Sequence, residues 1–95
     1  MEELYEKIIS ISESKTCSNS SQWKYTAIGS KPCGGPMGYI AYSSEINENE
    51  FLDLVAQYTN LQKEYNIKNN IGSDCYFESP PSGITCENGK AILVY

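Results

Sequence analysis

The sequence contains no arginine and no histidine, and it has one tryptophan, two phenylalanines and no long apolar run. Without histidine the chain lacks the side chain that most often moves protons near neutral pH. It also lacks the commonest transition-metal ligand. Seven lysines against twelve acidic residues give a net charge of −5. No basic patch is therefore available to neutralise phosphates, which argues against nucleic acid or an anionic membrane surface as partner. No stretch approaches the length needed to cross a membrane, so no transmembrane segment is expected. The opening MEELYEKIISIS has neither the basic start nor the apolar stretch of a signal peptide. Export would then depend on a segment removed from ahead of Met1, which could also have carried a lipid anchor.

What remains is a 95-residue chain with 40% apolar and 20% charged residues, enough for a core but for one domain only, residues 1–95. Its four cysteines are Cys17, Cys33, Cys75 and Cys86, separated by 15, 41 and 10 residues. A four-cysteine zinc site wants two short knuckles, and none is present. Two disulfides and an oxidising compartment are the expectation. Three connectivities are possible, and sequence proximity favours Cys17–Cys33 with Cys75–Cys86. Each bridge would restrict the unfolded chain by about 2–4 kcal/mol, a large contribution in so small a core.

Leu4, Tyr5, Ile8, Ile9 and Ile11 recur at helical spacing, with Glu2 and Glu3 in the first turn, and predict a helix near 2–13. Trp23, Tyr25 and Ala27 alternate with Lys24, Thr26 and Ile28, as in a strand with its aromatic side inward. Tyr39–Tyr42 reads as a second short strand. Asn47, with Glu50 three residues later, resembles a capping box ahead of a long helix near 47–66. Phe51, Leu54, Val55, Tyr58, Leu61 and Tyr65 form its apolar face. Cys75–Glu78 suggests another strand. Asn88-Gly89 is the preferred type I′ turn and predicts a C-terminal hairpin over 82–95. Pairing outward from that turn puts Ile84, Cys86, Ala91, Leu93 and Tyr95 on its core face. The fold class is α+β: a small antiparallel sheet of three to five strands packed against the two helices.

Reagents for common catalytic mechanisms are scarce. S-x-x-K occurs at Ser12…Lys15 and Ser21…Lys24 without the companion motifs of that chemistry. The acids mostly fall on solvent-facing positions, so a non-enzymatic protein is expected. A small hydrolase built on two carboxylates is the catalytic alternative. The oxygen donors Asn66, Asn69, Asn70, Ser73 and Asp74 lack calcium-loop spacing, and neither metal nor cofactor is expected. Asn19-Ser20-Ser21 matches an N-glycosylation acceptor, a pattern frequent by chance.

Two rigid loops and the surplus of tyrosine point to binding instead. Gly34, Gly35 and Pro36, beside Cys33, form a stiff turn that would lose little entropy on docking. Tyr39 and Tyr42 next to it make a candidate contact pair, since tyrosine is enriched in recognition surfaces. Tyr5, Tyr25, Tyr58, Tyr65 and Tyr95 are assigned to core faces. Pro80 and Pro81 sit in a second short loop of the kind that inserts into a protease. The expected partner is a protein of unknown identity.

The run from Cys17 through Trp23 and Ala27-Ile28-Gly29-Ser30-Lys31-Pro32-Cys33-Gly34-Gly35-Pro36 to Tyr39-Ile40-Ala41-Tyr42-Ser43 resembles a group of small exported bacterial proteins. Many of these are similar to lipoproteins of Bacteroidetes-type envelopes. Ser73-Asp74-Cys75 and Cys86-Glu87-Asn88-Gly89-Lys90-Ala91 fit the same pattern. The resemblance implies disulfides and a place in the periplasm, on the outer-membrane surface or outside the cell. It carries over no site residue and no activity. The expected function is a secreted or envelope binding domain, with protease inhibition as one version and a structural role in an envelope assembly as another.

Overall fold

A computed structural model describes residues 2–32, 35–69 and 79–95. Helix α1 spans Glu2–Ser12, a short 3-10 turn Ser20–Gln22, strand β1 Trp23–Ile28 and strand β2 Gly38–Ser43. Helix α2 spans Glu48–Lys68, strand β3 Gly83–Glu87 and strand β4 Lys90–Val94. Asn47 caps α2, its Oδ1 accepting from the Glu50 N–H at 3.1 Å. At the other end the Asn69 N–H and Nδ2 both donate to the Tyr65 carbonyl, at 3.0 and 2.9 Å, covering one carbonyl that the helix leaves unpaired.

The strands do not form one sheet. β1 pairs antiparallel with β2, β3 pairs antiparallel with β4, and the two pairs are separate sheets. The expected strand at Cys75–Glu78 lies outside the described residues. The reason for the split is that β1–β2 is apolar on both faces. One face turns Ile28, Ile40 and Tyr42 toward Ile8 of α1 and Phe51, Leu54 and Val55 of α2. The other turns Trp23 and Ala41 toward Cys17 and the β3–β4 hairpin. A four-stranded sheet with helices on one side would leave Trp23 in water. Laying the hairpin across that side buries it, and the chain becomes three layers: helices, central pair, hairpin.

The hairpin has the register expected from its turn, Cys86 opposite Ala91 and Ile84 opposite Leu93. Asn88 and Gly89 take φ of 52° and 77°, the positive values a type I′ turn requires. Ile84, Cys86, Ala91 and Leu93 face the second core, while Tyr95, expected there too, is 67% exposed.

One disulfide joins Cys17 to Cys86 across 69 residues of sequence, with Cα atoms 5.4 Å apart. This overturns the pairing favoured by proximity, Cys17–Cys33 with Cys75–Cys86. Strand alternation aims Cys86 into the layer where Cys17 is buried, and the Cys17 N–H also donates to the Gly89 carbonyl at 2.8 Å. Cys33 and Cys75 lie outside the described residues.

Several tyrosines exchange their expected places. β1 does not turn its aromatic side wholly inward: Trp23 is buried, Tyr25 is exposed, and Ile28 of the opposite set is buried. Tyr5 and Tyr65 are also exposed. The distal half of α2 runs past the core, so Leu61 and Tyr65 have too little of the protein beside them to be covered.

Candidate functional site

A groove of about 640 Å³ opens between the end of α1, strand β2 and strand β4. Ile9 and Ser12 form one wall, Tyr39 and Ala41 the floor, Ala91 and Leu93 the other wall. The floor is a strand edge. Ser44 N donates to the Gln22 carbonyl at 2.8 Å, which fixes the phase of the antiparallel ladder. The pairs Lys24–Tyr42 and Thr26–Ile40 then bond to each other. Tyr39 and Ala41 turn their N–H and C=O groups away from β1. Ser12 Oγ donates to the Ala41 carbonyl at 2.5 Å from the α1 side, as that phase demands. On the other wall Ser82 N donates to the Val94 carbonyl at 2.7 Å, and by the same alternation Ala91 and Leu93 turn their backbone groups away from β3. Among the described residues no strand pairs with either edge.

The charges at the rim are Lys15, Lys90 and Glu13. Neither lysine has an ionic partner among the described residues. Among the described residues Glu13 is the one carboxylate lining the groove, so no described pair of acids meets there as a glycosidase-like mechanism needs. Among the described residues no cluster of acids or cysteines is arranged to hold a metal ion, and no helix is long and apolar enough to cross a membrane.

Of the surface expected from sequence, Tyr39 lines the groove and stacks edge-on against Tyr25, with ring centres 6.0 Å apart. Tyr42 does not join it. Three residues apart on a strand, the two side chains point to opposite faces. Tyr42 is buried among the helices with its ring 5.0 Å from that of Phe51. Its hydroxyl donates to Glu48 Oε1 at 3.0 Å, and Lys24 Nζ holds the two oxygens of the same carboxylate at 3.1 and 3.3 Å. Burial, reinforced by Glu48, pushes the Tyr42 phenol up to about 12, while Lys24 and then the Tyr42 hydroxyl hold the Glu48 carboxyl below its usual value.

The glycine loop is braced from below by a polar stripe on α2. Thr59 Oγ1 accepts from Gly29 N at 3.1 Å, Gln62 Oε1 accepts from Ser30 N at 2.7 Å, and Asn66 Nδ2 donates to the Ser30 carbonyl at 2.8 Å. Gly29 sits at φ 83°, and a Cβ there would fall 2.6 Å from Gln62 Oε1. Gly35 is exposed and Pro36 half-buried, whereas Gly34 lies outside the described residues. In the second loop Pro80 is exposed and Pro81 buried. Sequence reasoning missed the groove because its walls come from three separated segments. The signal that could have shown it is β2 itself, a short strand apolar on both faces with no charge or proline to guard its edge.

No family model, no curated protein and no solved structure matches the chain.

Proposed function

We propose that the protein is a non-enzymatic, exported binding domain, held together by disulfide bonding, and that the groove between α1, β2 and β4 receives a protein partner. The observation that carries this reading is a groove of about 640 Å³ whose floor and one wall are strand edges that no strand among the described residues pairs with. Clefts of this size are typical of ligand sites, and open backbone edges are satisfied best by another polypeptide. Export is supported by the Cys17–Cys86 bridge and by the resemblance carried by Lys31-Pro32-Cys33-Gly34-Gly35-Pro36. The inhibitor version would place the second loop in a protease cleft. Pro81 is buried and so unavailable to insert, which makes the groove the better docking site.

Site-specific photocrosslinking in the native envelope tests this. A photoreactive residue replacing Lys15 at the rim should yield one discrete adduct with a protein. The same group replacing Lys63 on the outer side of α2 should not. Equal adducts from both positions, or none from Lys15, would count against the groove.

A further inference from the structure

We infer that the groove's occupant is an extended segment bearing an acidic side chain, which adds to the free edge of β2 as a new strand. This deepens the binding reading above and rests on it. Three observations converge. First, the outward N–H groups of Tyr39 and Ala41 and the Tyr39 carbonyl are not bonded to β1, and the Ala41 carbonyl holds only the Ser12 hydroxyl. A carbonyl has two lone pairs, so even this one retains a place for an incoming N–H. Strand addition uses such an edge: main-chain bonds give affinity and neighbouring pockets read alternate side chains.

Second, the edge lacks the usual protections. Natural proteins blunt exposed edges with lysine, proline or bulges, and Tyr39-Ile40-Ala41 carries none of these. Ile9 and Leu93 are half-buried and apolar, and Ala91 and Ser12 are small, so the walls offer apolar contact to a guest's side chains.

Third, the rim selects by charge. The chain as a whole carries −5, yet the groove's rim holds two exposed lysines, Lys15 and Lys90, against Glu13. An acidic side chain from the guest meets positive charge there and repulsion over most of the remaining surface. A basic segment would be drawn elsewhere on the molecule.

The test uses the oxidised full chain and a displayed library of random decapeptides, selected at low salt. Peptides from the enriched clones are then followed by amide hydrogen exchange. The expected result is extended, acid-bearing peptides that slow exchange at the amides of Tyr39 and Ala41 by tenfold or more. Lys15→Glu with Lys90→Glu should weaken them about fivefold, less at high salt, as exposed ion pairs require. Tyr39→Pro removes an outward N–H without touching the β1 ladder and should abolish binding, whereas Tyr39→Ala, which keeps it, should retain most. If Tyr39→Pro fails to fold, the exchange data on the unsubstituted chain decide alone. Peptides that bind the groove but leave those two amides exchanging freely, or that show no acidic preference, would overturn this inference and leave the binding reading intact. Protection of the same amides by a second copy of the chain would overturn it in favour of a homodimer. A library yielding no binders would remove both.

Discussion

Gly29 and Gly38 bracket the same loop and behave oppositely. At Gly29 the backbone is left-handed and an added Cβ would strike Gln62, whereas at Gly38 nothing lies within 4 Å. Gly29→Ala should therefore destabilise the protein by about 2 kcal/mol, from backbone strain and the lost Gln62 bond. Gly38→Ala should change stability by less than about 0.5 kcal/mol. Urea midpoints at constant slope would measure both. Tyr42 offers a second test. Its folded-state value of about 12 lies above the ordinary 10.0, so the neutral phenol stabilises the fold fully below pH 10 and that contribution disappears as pH rises toward 12. Ultraviolet titration should show a late-ionising phenol that Tyr42→Phe removes, with stability declining above pH 10 less steeply in the variant. Sequence showed the aromatic surplus but not its placement. Tyr42 is buried because its face of β1–β2 packs against α1 and α2, with Phe51 beside its ring, whereas Tyr25 on the opposite face stays exposed.

Elements governed by local rules were legible from the chain. Asn47 and the Asn88-Gly89 turn each rest on chemistry within four residues, and both occupy the expected positions. Asn47→Ala should cost about 1 kcal/mol, read as a lower thermal midpoint. The distal face of α2 was not legible. Periodicity continues through Leu61 and Tyr65, but the core stops at Tyr58, and Thr59, Gln62 and Asn66 take over by binding the loop backbone. The hairpin depends on a small core plus the Cys17–Cys86 bridge. Closing a loop of 69 residues restricts the unfolded chain by about 4 kcal/mol. Reduction should lower the thermal midpoint, and amide exchange across Gly83–Val94 should accelerate before that of α2 does.

For the molecule as a whole, the fold class was readable and its layering was not. Alternation says that a strand has an apolar face; it does not say which element covers it. The same holds for the cysteines: composition suggests pairing, while the pairing itself is set by tertiary approach. With Cys17 joined to Cys86, Cys33–Cys75 is the one connectivity left for a second bridge. That second bridge would make the intact oxidised chain about 4 Da lighter than the reduced one, whereas Cys17–Cys86 alone makes it about 2 Da lighter, one hydrogen per sulfur.

The groove exists because the C-terminal hairpin is fastened across the face of β1–β2 that carries Trp23. Proteolysis of the oxidised protein at acid pH, with mass spectrometry before and after reduction, examines that fastening directly. The expected result is a linked pair of fragments containing Cys17 and Cys86 that separates on reduction. Recovery of Cys17 joined to Cys33, or as a free thiol, would contradict the account.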